Sequence, residues 1–176
     1  MITIQLDASA VREIEHAARV MAEKMQGWKS NVGEGRDRVE DALHGMAGQY
    51  AFSLYQTGAA TLWRVQQDYL QRLKLTGGDG GQDLPGLNVD VKTTAARRMN
   101  PAHFSLIVSP KEYHAETVYI LALAQRSGEG MSVGLVGWDQ LVDKDLRKNG
   151  QEFAGKYVAH SSTLNHFPPL RWASVA

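Results

Sequence analysis

The segment 87–93 most constrains the fold, because its sequence, LNVDVKT, alternates between apolar and polar residues. Alternation with a period of two is typical of a β-strand that has one buried face. The run just before it, 77–83, has the sequence GGDGGQD, with four glycines in seven residues. Such a run predicts a turn or a close approach of two backbones. We therefore expect a half-buried strand that is entered through a tight turn.

Amphipathic helices are predicted ahead of this strand. Apolar residues recur at helical spacing over 8–26 and again over 37–56. Asp7 or Ser9 is expected to cap the first helix, and Gly58 is expected to end the second.

Residues 59–74 favour a third helix followed by a short strand. Three later segments have the composition of strands: 104–108, 117–124 and 132–136. A glycine ends the last of them, and a final helix is predicted over 139–148. Its inward residues are expected to be Leu141, Val142 and Leu146. This order predicts an α/β or α+β fold with helices around a central sheet.

The length of 176 residues predicts a single domain over 1–176. A hydrophobic fraction of 43% and a charged fraction of 22% are typical of globular proteins and exclude a disordered chain. The sequence has no apolar run of about 18 residues, no signal-peptide pattern at its start and no cysteine. We therefore expect a cytoplasmic protein without disulfides, without cysteine-ligated zinc and without a membrane partner.

Lysine plus arginine and aspartate plus glutamate both number 19, so the formal net charge is zero. This balance excludes a strongly basic nucleic-acid-binding protein but allows a local basic patch. The segment 91–111 contains four basic residues and no acidic one. It is either an ordinary solvated loop or a surface that contacts nucleic acid.

Two carboxylates and a lysine are predicted to converge at the 87–93 strand. The period of two places Asp90 and Lys92 on one face, about 6–7 Å apart along the backbone. A short hairpin would bring Asp83 beside Asp90. Two neighbouring carboxylates raise each other's pKa, and a divalent cation such as Mg²⁺ relieves their repulsion. Such a cation acidifies bound water and polarises a phosphodiester.

A structural interpretation of the same three residues stays open. An Asp-X-Lys pair on a solvent-facing strand contributes little to stability, and aspartate is a common turn residue. Other site classes fit less well. The histidines lack zinc-ligand spacing, the glycine-rich run lacks the lysine of a phosphate-binding P-loop, and no Gly-X-Ser-X-Gly motif is present.

In order along the chain, GDGGQDL at 78–84 and LNVDVKTT at 87–94 resemble the signature of the PD-(D/E)XK nuclease superfamily. The later run VGLVGW at 133–138, followed by DQL, is similar to members whose last core strand ends in Gly-Trp. The resemblance extends over about 36–146 and leaves the N-terminal helix (1–30) and a C-terminal tail (150–176) outside a nuclease-like core at 36–148. Glutamine replaces the usual proline before the first aspartate.

The resemblance implies a restriction-endonuclease-like fold, with a central mixed β-sheet flanked by helices in the order α-β-β-β-α-β. It also implies hydrolysis of phosphodiester bonds, usually of DNA, that depends on Mg²⁺ or Mn²⁺. Asp83, Asp90 and Lys92 match the superfamily's catalytic residues, Asp83 and Asp90 its metal ligands, and the backbone carbonyl of Val91 a further ligand. Glu40 matches the acid that many members carry on the preceding helix.

Further residues are candidates for a supporting role. Gln82 adjoins the first acid, and His44 lies one helical turn after Glu40, on the same helix face. The alternatives are that Gln82 only fills the turn and that His44 is a structural or surface residue. The candidates for contact with nucleic acid lie on and after the strand: Thr93, Thr94, Arg97, Arg98 and His103.

Two hypotheses follow. The first is a metal-dependent nuclease that acts on DNA, whose endo- or exonuclease mode stays open. The alternative is a catalytically silent module that binds nucleic acid or protein with the same fold. Homodimerisation is left open, with the first helix and the tail as candidate interfaces.

Overall fold

The computed structural model describes residues 1–24, 38–72, 83–84 and 86–168. Within these residues, three helices lie between the first strand and the second, and four further strands follow. The elements, in chain order, are β1 (Ile2–Leu6), α1 (Ala8–Lys24), α2 (Arg38–Thr57), α3 (Thr61–Arg72), β2 (Val89–Ala95), β3 (Ser105–Val108), β4 (Val118–Ser127), β5 (Gly130–Asp139) and β6 (Tyr157–His160).

The first two predicted helices are confirmed, together with the signals at their ends. The carboxylate of Asp7 accepts a hydrogen bond from the backbone N–H of Ala10 at 2.8 Å and so caps α1. Gly58 follows α2 with a φ of 73° and donates its N–H to the Leu54 carbonyl. A left-handed residue at this point ends a helix, and glycine adopts it without steric cost.

A mixed sheet of four strands occupies the centre of the described chain, in the order β1-β5-β4-β2. The β1–β5 and β5–β4 pairs are antiparallel, whereas β2 runs parallel to β4. Strands β3 and β6 form a separate antiparallel pair. The three predicted strands after β2 are confirmed as β3, β4 and β5.

The two faces of the sheet are covered differently. Buried residues of α1 and α2 and Trp63 of α3 pack on one face, against alternate residues of the strands such as Val91 and Ile120. The other face, which includes Tyr119 and Leu121, packs against β3 and β6. The fold is thus α/β with a mixed sheet, but the helices lie on one face and a small second sheet lies on the other.

Helix α2 approaches β2 closely at Gly48. A Cβ atom added at Gly48 would overlap Oγ1 of Thr93 and would lie 3.2 Å from Cγ1 of Val91. Only glycine allows this separation of helix and strand, because any side chain would collide with Thr93. The contact fixes β2 against the helical layer on the face opposite Asp90 and Lys92.

The prediction of a helix over 139–148 is wrong, and so is the prediction that the preceding strand ends at residue 136. Strand β5 continues to Asp139, which pairs with Tyr119 of β4, and a short 3₁₀ turn occupies Asp143–Asp145. Leu141 is buried as expected, but Val142 and Leu146 are 48% and 39% exposed. Pairing with β4 keeps the chain extended up to Asp139, and beyond it Leu146 bridges to Tyr157 instead of continuing a helix.

Two other differences concern the start and the middle of the chain. The sequence reasoning missed β1, which forms an outer strand of the central sheet and is paired with β5. The glycine-rich run and the short strand expected after the third helix lie outside the described residues, apart from Asp83 and the last residues of α3. The α-β-β-β-α-β order is not reproduced in full, since no α-helix follows β2 in the described chain up to residue 168.

Candidate active site

Strand β2 presents its two charged residues on one face of the sheet, as the alternation predicts. In the parallel register Asp90 lies beside Tyr119 and Lys92 beside Leu121. Both neighbours belong to the core on the side of β3 and β6. Asp90 is 7% exposed, so its carboxylate is held at the margin of that core rather than in solvent.

Asp83 is bound to the side of β2 that faces away from β4. Its N–H donates to the Val89 carbonyl at 3.1 Å, and its Oδ2 accepts from the Val91 N–H at 2.5 Å. A tight turn sets this position, with a bridge between Leu84 and Leu87 and a φ of 75° at Gly86. The predicted hairpin therefore places Asp83, 8% exposed, directly against the residue between Asp90 and Lys92.

The backbone of Val91 lies on the same side. In a β-strand the N–H and C=O of one residue point toward the same neighbouring chain. Because the Val91 N–H donates to Asp83, the Val91 carbonyl also points to the side of β2 on which Asp83 lies. This is the placement that a carbonyl ligand beside Asp83 requires.

Lys92 joins the acids of the site. Its Nζ lies 3.0 Å from Oδ2 of Asp90 and 3.4 Å from Oε2 of Glu112. The side chain of Lys92 is 29% exposed, that of Asp90 10% and that of Glu112 57%. The ammonium group thus lies between a buried acid of the strand and an exposed acid of the loop after β3.

Electrostatics favour the charged form of Lys92. Burial alone lowers the pKa of Lys92, but the negative charges of Asp90, Glu112 and Asp83, with the hydrogen bond to Asp90, outweigh it and raise the pKa above 10.5. Burial likewise acts to raise the pKa of Glu112, and Lys92 reverses this and lowers it. At neutral pH the lysine is a cation that donates hydrogen bonds, not a group that accepts a proton.

Glu112 and Tyr119 were not identified from the sequence. The Tyr119 hydroxyl donates to the Glu112 carbonyl at 3.1 Å and accepts from the His114 N–H at 2.6 Å, which holds the 112–114 loop against the sheet. Burial raises the pKa of Tyr119, and the charge of Asp90 adds to the shift. No spacing in the sequence points to Glu112, because only the tertiary fold brings its loop to β2.

The structure does not join Glu40 to the two aspartates. Its carboxylate lies 3.4 Å from Nε2 of His44, one turn along α2. Among the described residues, no three histidine, aspartate or glutamate side chains form a group that could hold a metal ion. Among the residues that the structure describes, a cation beside β2 would therefore rest on Asp83, Asp90 and backbone oxygen.

The remaining predicted residues lie in different surroundings. Thr93 points to the helical face, where its hydroxyl is buried and has no hydrogen-bond partner among the described residues, whereas Thr94 is exposed. Gln82 lies outside the described residues. The exposed residues Arg97, Arg98 and His103 follow the far end of β2, which lies about 16 Å along the strand from Asp90.

Comparisons of the chain with protein-family models, with curated proteins and with solved structures found no match. The resemblance to the PD-(D/E)XK superfamily stays a prediction. In the described part of the chain, no helix combines the length and the apolar character that crossing a membrane requires.

The donor set suits a hard divalent cation. Mg²⁺ is commonly held by one or two carboxylates and keeps several water ligands. Asp83 and Asp90 supply two buried carboxylates on and beside β2, and Val91 supplies a carbonyl on the side of Asp83. Bound there, a divalent cation would polarise a phosphoryl oxygen and acidify a water molecule.

Proposed function

We propose that the chain is a nuclease that hydrolyses phosphodiester bonds of DNA with Mg²⁺ or Mn²⁺. One observation supports this proposal above the others. The Asp83 carboxylate binds the backbone of Val91, and the flanking residues Asp90 and Lys92 are 3.0 Å apart. One small region thus contains an acid from a turn, an acid from a strand and a cationic lysine.

Each residue has a distinct role in this proposal. Asp83, Asp90 and the Val91 carbonyl would hold the cation. Lys92 would donate hydrogen bonds to the attacking water or to the phosphoryl oxygens, where negative charge grows in the transition state. Glu112 would keep the ammonium in place when Asp90 turns to the cation.

The second candidate is a catalytically silent module that binds DNA or protein. One observation favours it, namely that both aspartates already have protein partners. Asp83 accepts a hydrogen bond from the backbone of Val91, and Asp90 forms an ion pair with Lys92. In that case the three residues hold the turn to β2 and bind no metal.

A cleavage assay separates the two candidates. Linear, circular and single-stranded DNA are incubated with wild type, Lys92→Ala and Asp90→Asn, in Mg²⁺, Mn²⁺ or EDTA. We expect wild type to cut only with metal, and both variants to lose at least about 100-fold in rate, since removing one group that stabilises transition-state charge costs about that much. Arg19→Ala, which changes an exposed residue of α1, is the matched control and should retain full activity.

Metal binding is measured separately from cutting. A ligand that binds only the folded state raises the melting temperature by mass action. We expect Mn²⁺ to raise the melting temperature of wild type but not that of Asp90→Asn. A folded wild type that neither cuts any substrate nor responds to Mn²⁺ would refute the nuclease proposal and favour the silent module.

A further inference from the structure

Topology separates the predicted basic loop from the acids of β2. Arg97 and Arg98 follow the end of β2, whereas Asp90 lies near its start. Strand β3 runs back toward the start of β2 and leads into the loop with Glu112, which contacts Lys92. Because β6 is antiparallel to β3 and pairs Tyr157 with Val108, the chain that enters β6 also lies at this end.

The chain entering β6 is a hairpin, 146–157, whose base is connected to the site by aromatic stacking. Leu146 bridges to Tyr157 at the base. The ring of Tyr157 stacks on Tyr113 with a centroid separation of 3.9 Å and an angle of 14° between planes. Tyr113 follows Glu112 directly, so the contacts lead from Lys92 through this loop to the hairpin.

The hairpin brings like charges together. Arg147 donates its N–H to the Lys156 carbonyl and accepts from the Gly155 N–H, both at 2.9 Å, so Arg147 lies opposite Gly155 and Lys156. With Lys148, the hairpin has three basic residues and one acidic residue, Glu152. Among the described residues none of the three basic side chains forms an ion pair. Opposed like charges are destabilising, and an anion between them would relieve the repulsion.

An aromatic residue at the hairpin turn has a strained backbone. Phe153 has a φ of 59°, and it is the one non-glycine residue with positive φ in the described chain. Its side chain is 43% exposed. A bulky residue in the left-handed region is uncommon, and such outliers concentrate at functional sites. An exposed ring beside basic residues is the combination that binds the bases and phosphates of single-stranded nucleic acid.

We propose that the hairpin 146–157 binds a single-stranded segment of the DNA substrate next to the candidate active site. Arg147 and Lys156 contact phosphates, and the ring of Phe153 stacks on a base. Bases are open to such stacking only where the duplex is absent, frayed or unpaired, so the substrate is DNA with a single-stranded region. This inference rests on the proposed nuclease function for its choice of DNA, but its test requires no cleavage.

The test is a binding titration in EDTA with two fluorescently labelled DNA probes, a single strand of about 20 nucleotides and the matching duplex. A strand of this length spans a typical single-strand site. Arg147→Gln/Lys156→Gln should weaken binding to the single strand and reduce the slope of log affinity against log salt by about 1.4, as expected for two lost phosphate contacts. Phe153→Gly should lower single-strand affinity about tenfold and affect the duplex less. Arg12→Gln/Arg19→Gln, which removes two exposed arginines from α1, should bind like wild type.

Other outcomes would overturn the inference. These are a wild type that does not bind the single strand, a hairpin variant that binds as wild type does, and loss of affinity in Arg97→Gln/Arg98→Gln instead. Thermal melting confirms that each variant is folded. If the hairpin variants lose binding but wild type neither cuts DNA nor responds to Mn²⁺, the nuclease proposal fails and the hairpin inference stands. If wild type cuts DNA but the hairpin variants bind normally, the hairpin inference fails and the nuclease proposal stands.

Discussion

Removal of the Lys92 ammonium tests the electrostatics of the site independently of any activity. In Lys92→Met the side chain stays unbranched and loses only its terminal atom in length, but Asp90 and Glu112 are left without the cation that lies 3.0 Å and 3.4 Å from them. Breaking a fully buried ion pair costs about 3–5 kcal/mol. Because Lys92 retains 29% exposure, we expect a smaller loss of about 2 kcal/mol in the free energy of unfolding. That loss corresponds to a fall of about 4–8 °C in melting temperature.

The assay is a double-mutant cycle in which urea unfolding is monitored by tryptophan fluorescence, in EDTA at about pH 7.5, where Lys92 and Glu112 are both charged. Asp90→Asn alone should cost about 1 kcal/mol, since Lys92 still faces Glu112. The double variant should be more stable than the sum of the two losses predicts, by about 1 kcal/mol. Lys111→Met is the matched control, an exposed lysine with no ion pair among the described residues, and should change stability by less than about 0.5 kcal/mol.

The pH dependence has a defined sign. The pKa of Lys92 is raised above its ordinary value of 10.5 in the folded protein, so the stabilisation is complete below that pH and is lost as the pH rises through the folded pKa. The stability difference between wild type and Lys92→Met should therefore shrink above about pH 10.5. A Lys92→Met protein as stable as wild type at neutral pH, with no coupling to Asp90, would refute the reasoning.

Three further predictions concern packing, backbone strain and acid stability, each measured by unfolding. Gly48→Ala should cost about 1–3 kcal/mol, because its Cβ would overlap Oγ1 of Thr93, and Thr93→Ala in the same chain should recover part of it; an unchanged stability would contradict the close approach. Phe153→Gly should raise the melting temperature by about 2–4 °C, as expected for about 1 kcal/mol of left-handed strain removed, and a fall would count against strain at this turn. The hydrogen bond from Arg64 lowers the pKa of Glu13 below 4.5, so Glu13→Gln should lose about 0.5 kcal/mol at neutral pH, and its difference from wild type should fade as the pH falls through the lowered pKa.

Local patterns predicted the elements that are stabilised locally. Helices α1 and α2 have both periodic apolar residues and recognisable ends, and Asp7 and Gly58 occupy those ends in the structure. Strand β2 was predicted from a period of two. The same signal is present at the N-terminus, where Ile2, Ile4 and Leu6 alternate with polar residues, so β1 is predictable from the sequence.

The incorrect prediction of a helix over 139–148 shows that local patterns omit contacts with distant parts of the chain. Gly137 was interpreted as the end of a strand, but the strand continues past it. A Cβ at Gly137 would lie 2.7 Å from the Asn165 carbonyl oxygen, so the glycine is explained by close packing, and Trp138 pairs with Asn165 just beyond it. Neither contact can be inferred from residues 132–148 alone, because both depend on Asn165, which lies 27 positions beyond Trp138.

The candidate site also contains residues that local patterns predict and residues that only long-range contacts bring together. Asp83 was predicted to reach β2 because a short turn connects them, and it does reach Val91. Glu112 and the 146–157 hairpin were not predicted, because no short motif encodes the contacts that place them. The Tyr119 hydroxyl holds the Glu112 loop, and the register between β3 and β6 places the hairpin. The basic residues that the sequence did single out, Arg97 and Arg98, are close to Asp90 in sequence but at the other end of the strand.

The position of Asp83 allows both a structural and a catalytic role. As a turn residue Asp83 accepts a hydrogen bond from the Val91 N–H, and the amide oxygen introduced by Asp83→Asn would accept the same bond. A metal site needs the negative charge itself, because a neutral amide oxygen supplies no charge to offset that of a divalent cation. Asp83→Asn should therefore keep the stability of wild type in EDTA but lose the Mn²⁺-dependent rise in melting temperature. Equal loss of stability with and without metal would assign Asp83 to the turn alone.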